Sequence, residues 1–229
     1  MKNLKEYIVE VYGNGWTSSV SNNLGGDDQK SIEQKIKSWC DDMKIRNYTI
    51  NSKGEIDVKG DVWLKYKGIK ELPYKFGKVS GDFNINYNVD LISLKNCPNI
   101  VDGYFNCVGC KKLTTLEGAP QEVNGVFKCN DCIKLKSLKG APQKIEKDFL
   151  CDDCVNLKSL EGCPTQVDGH FSCSRCTNLT SLKGCPKKVG GEFHCYDCKK
   201  NFTKEEVESL CKVTGEIKTF NYESFIYGR

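Results

Sequence analysis

Long apolar runs, histidine and an excess of one charge are what this sequence lacks. No stretch of the roughly 18 apolar residues that a bilayer-spanning helix needs occurs in the chain. The opening Met1-Lys2-Asn3-Leu4-Lys5-Glu6-Tyr7 puts charges where a secretory signal needs its apolar segment, which predicts a cytoplasmic protein. Only two histidines occur, His170 and His194, and no Gly-rich phosphate loop stands beside them in sequence. Lys and Arg total 34 against 30 Asp and Glu, a net charge of +4. The two signs are interleaved, whereas a nucleic-acid binder gathers its basic residues on one face. Cysteine, by contrast, is abundant at 15 residues. An odd count without a secretion signal argues against a disulfide framework.

An internal repeat accounts for most of these cysteines. Cys-x-x-Cys pairs at Cys107/Cys110, Cys129/Cys132, Cys151/Cys154, Cys173/Cys176 and Cys195/Cys198 follow one another at 22 residues. The same step runs through Phe83, Phe105, Phe127, Phe149, Phe171 and Phe193, and through the leucines from Leu91 to Leu179 and from Leu94 to Leu182. It also runs through Pro98, Pro120, Pro142, Pro164 and Pro186, and through Val79, Val101, Val123, Ile145, Val167 and Val189. The Phe-x-Cys segment alternates as a short strand does, and Gly-(Ala/Cys)-Pro forces a turn. A single unit cannot bury its own apolar stripe. Stacked units can, with strands about 4.8 Å apart in a parallel sheet.

The unit Val-x-x-x-Phe-x-Cys-x-x-Cys-x-x-Leu-x-x-Leu-x-Gly-(Ala/Cys)-Pro resembles the leucine-rich repeat, with Phe and Cys in place of two leucines. It is more similar still to repeats of bacteriophage-encoded proteins of that family, through Leu179-Thr180-Ser181-Leu182-Lys183-Gly184-Cys185-Pro186 and Val189-Gly190-Gly191-Glu192-Phe193-His194-Cys195. The resemblance covers roughly residues 48–200 and implies an α+β repeat, a leucine-rich-repeat-type solenoid with a short parallel β-sheet face. It implies that this face is concave and binds a partner, and that the protein acts in a host cytoplasm. Inhibition or redirection of a host factor is the use it implies.

Three divisions follow: an N-terminal helical cap over 1–47, a solenoid of about seven coils over 48–200, and a C-terminal cap over 201–229. Helices are expected over Asn3–Tyr12 and after a polar loop from Gly13 to Asp28. The second has Ser31 and Gln34 as a capping box and Ile32, Ile36, Trp39, Cys40 and Met43 as its stripe. A hairpin through Asn51-Ser52-Lys53-Gly54 leads into the first coil, where Val58, Val62, Leu64, Ile69 and Leu72 keep the pattern on a step of 21, with one residue missing before Ile69. Thr203-Lys204-Glu205-Glu206 opens the last helix, with Val207, Leu210 and Cys211 facing the final coil.

The Cys-x2-Cys-x18-Cys-x2-Cys spacing falls within zinc-site spacing, so a Zn-thiolate structural or virion-associated protein is the alternative reading. Inward packing of small apolar side chains is favoured over it. Ile85 and Asn88 occupy the pair's positions one coil earlier without breaking the period, and Cys97, Cys163 and Cys185 alternate with Ala119 and Ala141 in one column. Lys95, Glu117, Lys139, Glu161 and Lys183 form a row of alternating sign, which favours in-register stacking.

The outward columns of the strands do not repeat, as expected of a scaffold displaying one particular surface. Candidate partner-binding residues are Tyr104, Asn106, Lys128, Asp131, Asp148, Asp152, Asp153, His170, Arg175, Glu192, His194, Tyr196 and Asp197. The C-terminal half of this face is acidic and would repel phosphate, so the expected partner is a protein with a basic contact surface. His170, His194 and Glu192 could form a metal or acid–base site, and Ser172 and Ser174 lack a base–carboxylate pair in the sequence. The expectation is a non-enzymatic interaction module with no metal, cofactor, nucleic-acid, membrane or small-molecule partner.

Overall fold

A computed structural model describes residues 26–220 of the chain. The expected Asn3–Tyr12 helix and most of the Gly13–Asp28 loop lie outside the described residues, as does the chain after Phe220. Within them the chain winds as a parallel β-solenoid of about seven turns.

Each turn contributes to two sheets rather than the single one that Phe-x-Cys alternation predicted. The first sheet has nine strands: Tyr48–Ile50, Ile56–Val58, Phe76–Val79, Ile100–Val101, Glu122–Val123, Lys144–Ile145, Gln166–Val167, Lys188–Val189 and Lys212–Val213. The second has eight: Val62–Trp63, Phe83–Asn84, Phe105–Asn106, Phe127–Lys128, Phe149–Leu150, Phe171–Ser172, Phe193–His194 and Ile217–Lys218. Neighbours pair parallel throughout, except for the antiparallel hairpin of Tyr48–Ile50 with Ile56–Val58. The Val column therefore sits on strands of its own. These are two residues long in most turns, too short for any alternation to be legible.

Register follows the repeat. Phe105 pairs with Phe127, Phe127 with Phe149, and Val123 with Ile145. The register shifts by one residue where Ile56–Val58 meets Phe76–Val79, Ile56 facing Phe76 and Val58 facing Val79. Identical side chains thus stack on themselves. Phe rings from Phe83 to Phe193 lie 4.9–5.9 Å apart, centroid to centroid, and are fully buried. Burying one such ring stabilises the fold by about 2–3 kcal/mol from transfer out of water alone. The Val and both Leu columns fill the remaining interior.

The cysteines point inward. Cys107, Cys110, Cys129, Cys132, Cys151, Cys154, Cys173 and Cys176 are buried, and all 15 in the chain are free thiols. The second thiol of each pair takes the role that Asn88 plays one coil earlier. Asn88 Nδ2 donates to the carbonyls of Leu64 and Ile85 at 2.9 and 2.8 Å, and its Oδ1 accepts from Ile69 N. Cys132, Cys154, Cys176 and Cys198 place Sγ 3.2–3.3 Å from the carbonyl of the first cysteine in the preceding coil. Each thiol donates to a buried backbone carbonyl of the coil before it.

The turn after the leucines packs closely and takes a left-handed residue, glycine in four of its turns. Gly140 has φ +96°, and a Cβ there would lie 2.5 Å from the backbone of Glu117 one coil back. Asn96 holds the equivalent place in the earliest of these turns at φ +70°, its Nδ2 donating to Leu72 O at 2.8 Å. In the charged row, Lys139 pairs with Glu117 and Lys183 with Glu161, each at 2.8 Å and exposed.

The helix Gly26–Asp42 starts well before Ser31, so Ser31 lies inside it rather than at its cap, and Gly26–Asp28 belong to it rather than to the loop. Ile36 and Cys40 are buried against the first coils, and Trp39 meets Tyr74 and Phe76 edge-on at 5.8 and 6.1 Å. At the other end Thr203 and Glu206 close the expected capping box on the helix Lys204–Leu210. Val207 and Cys211 are buried, but Leu210 is exposed. The chain does not stop there. Lys212–Val213 and Ile217–Lys218 rejoin both sheets, pairing with Lys188–Val189 and Phe193–His194 at a step of 24. The helix thus stands in for the Leu-to-Pro segment of that turn.

Candidate functional site

The outward side of the second sheet carries four columns, and each has its own local chemistry. The column before each Phe is occupied with backbone duty. Asp61 Oδ1 accepts from Asp82 N, Asp82 Oδ1 from Tyr104 N, and Asp148 Oδ1 from His170 N, at 2.8–2.9 Å. His170 continues the series, its Nδ1 accepting from Glu192 N at 2.9 Å, which assigns the ring proton to Nε2. Asp148 and His170 are therefore structural acceptors as well as surface groups.

In the next column stand Trp63, Asn84, Asn106, Lys128, Leu150, Ser172, His194 and Lys218. Asn106 Oδ1 folds back on Val108 N at 3.0 Å. The following column holds Asp152, which is buried. Its Oδ1 accepts from Ser172 Oγ and from Ser174 N at 2.8 Å, and its Oδ2 from Asn130 Nδ2 at 3.1 Å. The Ser172 hydroxyl thus meets a carboxylate directly, with no imidazole between them. His194 lies beside Ser172 in the sheet, but its Nε2 is 2.7 Å from Glu192 Oε2. Lys218 Nζ reaches the same oxygen at 2.9 Å. These two partners, Lys218 first, hold the Glu192 carboxyl below the usual carboxylate range.

His170 and His194 come within 6.4 Å, ring centre to ring centre, as their one-coil separation implied. Among the described residues, no group of three His, Cys, Asp or Glu side chains is arranged to hold a metal ion. The cysteines are poor candidates on chemical grounds, because a thiol donating its proton to a carbonyl is not a thiolate ligand. Burial holds the Cys97 and Cys195 thiols up at about 12 and pushes Cys151 and Cys173 up as well, while Cys107 and Cys129 are raised first by their hydrogen bonds to the thiols of Cys132 and Cys154 and then by burial. Two surface grooves, one around Lys70, Ile92 and Asn96 and one around Thr180, Lys200 and Leu210, are lined by neither histidine nor cysteine.

The fourth column is the unusual one. Tyr66, Tyr87, Gly109, Asp131, Asp153, Arg175 and Asp197 all have φ between +54° and +69°. Glycine adopts this left-handed conformation without strain, while other residues lose about 1–2 kcal/mol. The position nevertheless carries a side chain in every turn but one. Part of the strain is offset between coils. Arg175 Nε and Nη2 grip Asp153 at 2.9 and 2.8 Å, and the guanidinium lies 5.8 Å over the Tyr196 ring. Tyr66 stacks on Tyr87 at 4.9 Å, within 5° of parallel, and Tyr87 in turn lies over Gly109, where a Cβ would clash with it.

Of the 13 residues expected on this face, the structure places all on the outward side of the second sheet and the bend after it. It divides them by task. Asp148, Asp152 and His170 hold backbone or buried polar groups, Arg175 holds both Asp153 and Tyr196, Glu192 pairs with His194, and Lys128 is half-buried. The sequence reading overlooked Trp63 and Tyr66. Trp63 is 47% exposed and Tyr66 66%, and Trp63 meets Tyr104 edge-on at 6.2 Å. Shifting the alignment by the one missing residue brings Trp63 beside Asn84 and Tyr66 beside Tyr87, and that was the available signal.

The architecture defines the class: a repeat protein built as a parallel β-solenoid with a non-repeating outward face. No family model, curated protein or solved structure matches the chain.

Proposed function

We propose that this chain is a leucine-rich-repeat-type, non-enzymatic binding module that engages a protein through the outward side of its Phe-x-Cys sheet. The terminal helices are read as caps of the repeat, and the resemblance of Leu179–Pro186 and Val189–Cys195 to phage repeats supports a phage-encoded protein acting in a host cytoplasm.

One observation carries this reading. Six of seven turns hold Tyr, Asp or Arg in a left-handed conformation that glycine would adopt without strain, all on one surface. Side chains kept against a local penalty are side chains that do something there. The acidic groups Asp131, Asp148, Asp152, Asp153, Glu192 and Asp197 favour a partner with a basic contact surface, and the hydroxyl–carboxylate pair of Ser172 and Asp152 is buried and has no imidazole.

The test must spare the residues that hold the fold. Replacing Lys128→Ala, Asp131→Asn and Asp197→Asn together removes charged groups of the face and leaves Asp148, Asp152, His170 and the Arg175–Tyr196 contact in place. The asparagines keep a residue that tolerates positive φ. This variant is expected to melt within a few degrees of the parent and to lose its partner in affinity capture. Capture at undiminished yield would refute the assigned face.

A further inference from the structure

The outward face has two chemically different ends. Trp63, Tyr66, Tyr87 and Tyr104 gather in the first coils, with Lys65 Nζ 5.9 Å from the centre of the Trp63 ring. Trp63, Tyr66 and Tyr87 are among the few large apolar side chains exposed anywhere in the described residues. Lys65 is the cation placed against these rings, while Lys78 and Lys112 in the same coils pair with Asp102 and Asp90. Beyond them six carboxylates, Asp131 to Asp197, share the face with Lys128, Arg175 and Lys218. Aromatic at one end and acidic at the other, the surface is polar along the solenoid axis.

Resting on the reading of this face as a protein-binding surface, we infer that its occupant is an extended polypeptide segment lying across the coils. Its apolar, proline-rich end sits on Trp63, Tyr66, Tyr87 and Tyr104, and its Lys/Arg-rich end lies over the acidic coils. Exposed Tyr and Trp rings are the surfaces on which prolines and aliphatic side chains dock, and these residue types dominate binding energy where they are found. Lys65 repels the cationic end and the carboxylates attract it, so charge favours one direction for the segment. Its length follows from geometry. Seven strands from Trp63 to His194, at about 4.8 Å each, span roughly 29 Å, which an extended chain covers in about nine residues.

A fluorescent synthetic peptide tests this: six prolines and leucines joined to five arginines and lysines, compared by anisotropy with each half alone and with a 12-nucleotide oligo-dT. The joined peptide is expected to bind at least tenfold more tightly than either half. Trp63→Ser with Tyr66→Asn and Tyr87→Asn should reduce it to the affinity of the basic half, and Asp131→Asn with Asp197→Asn to that of the apolar half. The inference is overturned if the joined peptide binds no better than the basic half, or equally well to the aromatic variant. It is also overturned if oligo-dT binds and is lost with the aromatic residues, which would assign that end to nucleobase stacking. Binding of the basic half alone, lost with Asp131 and Asp197, would refute the aromatic anchor and leave the protein-binding face standing.

Discussion

Raising the pH tests the interior of this molecule more sharply than most mutations. A thiol ordinarily ionises near pH 9, but burial holds Cys97 and Cys195 up at about 12 and drives Cys151, Cys163 and Cys173 upward too, while hydrogen bonds to neighbouring thiols and then burial raise Cys107 and Cys129. A folded pKa above the unfolded one means that the native state keeps protons the unfolded chain releases. The associated stability is fully present below pH 9 and is lost as pH rises from there toward 12. One pH unit above its ordinary value, each such thiol favours unfolding by about 1.4 kcal/mol. A handful acting together matches the roughly 5–15 kcal/mol that holds a whole domain. The chain should therefore be stable at pH 7 to 8.5 and unfold cooperatively between about pH 9.5 and 11. Thiolate absorbance near 240 nm and loss of the β-sheet circular dichroism should appear in one transition. Thiolate absorbance rising on an intact sheet signal would refute the inward, proton-donating thiol ladder. So would thiolate absorbance already present at pH 7 together with bound zinc.

Further substitutions probe separate links of the chain. Phe149→Ala, which empties the middle of a fully buried ring stack, should destabilise by about 3–5 kcal/mol in urea unfolding. Gly140→Ala combines positive φ with a 2.5 Å approach to backbone and should lose at least about 2 kcal/mol, measured the same way. Asn88→Ala leaves the carbonyls of Leu64 and Ile85 and the amide of Ile69 without their partner, a loss of about 2–4 kcal/mol, whereas Asn88→Cys restores a donor and should recover a measurable part of it. A double-mutant cycle on the half-exposed Asp153–Arg175 pair should return no more than about 1 kcal/mol at physiological salt.

The repeat was legible because side chains stacking on their own equivalents must recur at one interval, and Phe, Leu, Cys and Val do. Asn88 was also legible, since an amide among cysteines announces the shared hydrogen-bonding role. Ile100–Val101 and its equivalents were not, because a strand of two residues has no periodicity to read. The last coil hid behind a change of step and the replacement of Phe by Ile217, which keeps the apolar volume but breaks the letter pattern. The left-handed column left one trace in the sequence, Gly109, and the other six residues gave no sign of a strained backbone. At the site, the columns were found but their tasks were not. Asp148, Asp152 and His170 looked like any other surface groups until their hydrogen bonds were in view.

The claim that matters most is that the strand face, and not the leucine side, meets the partner. A photo-cross-linking residue placed singly at Tyr104, Lys128 or Tyr196 samples the face, and at Lys136, Lys158 or Thr180 it samples the turns after the leucines. The account predicts adducts to one protein from the first three positions and none from the last three. Adducts confined to Lys136, Lys158 and Thr180 would contradict it.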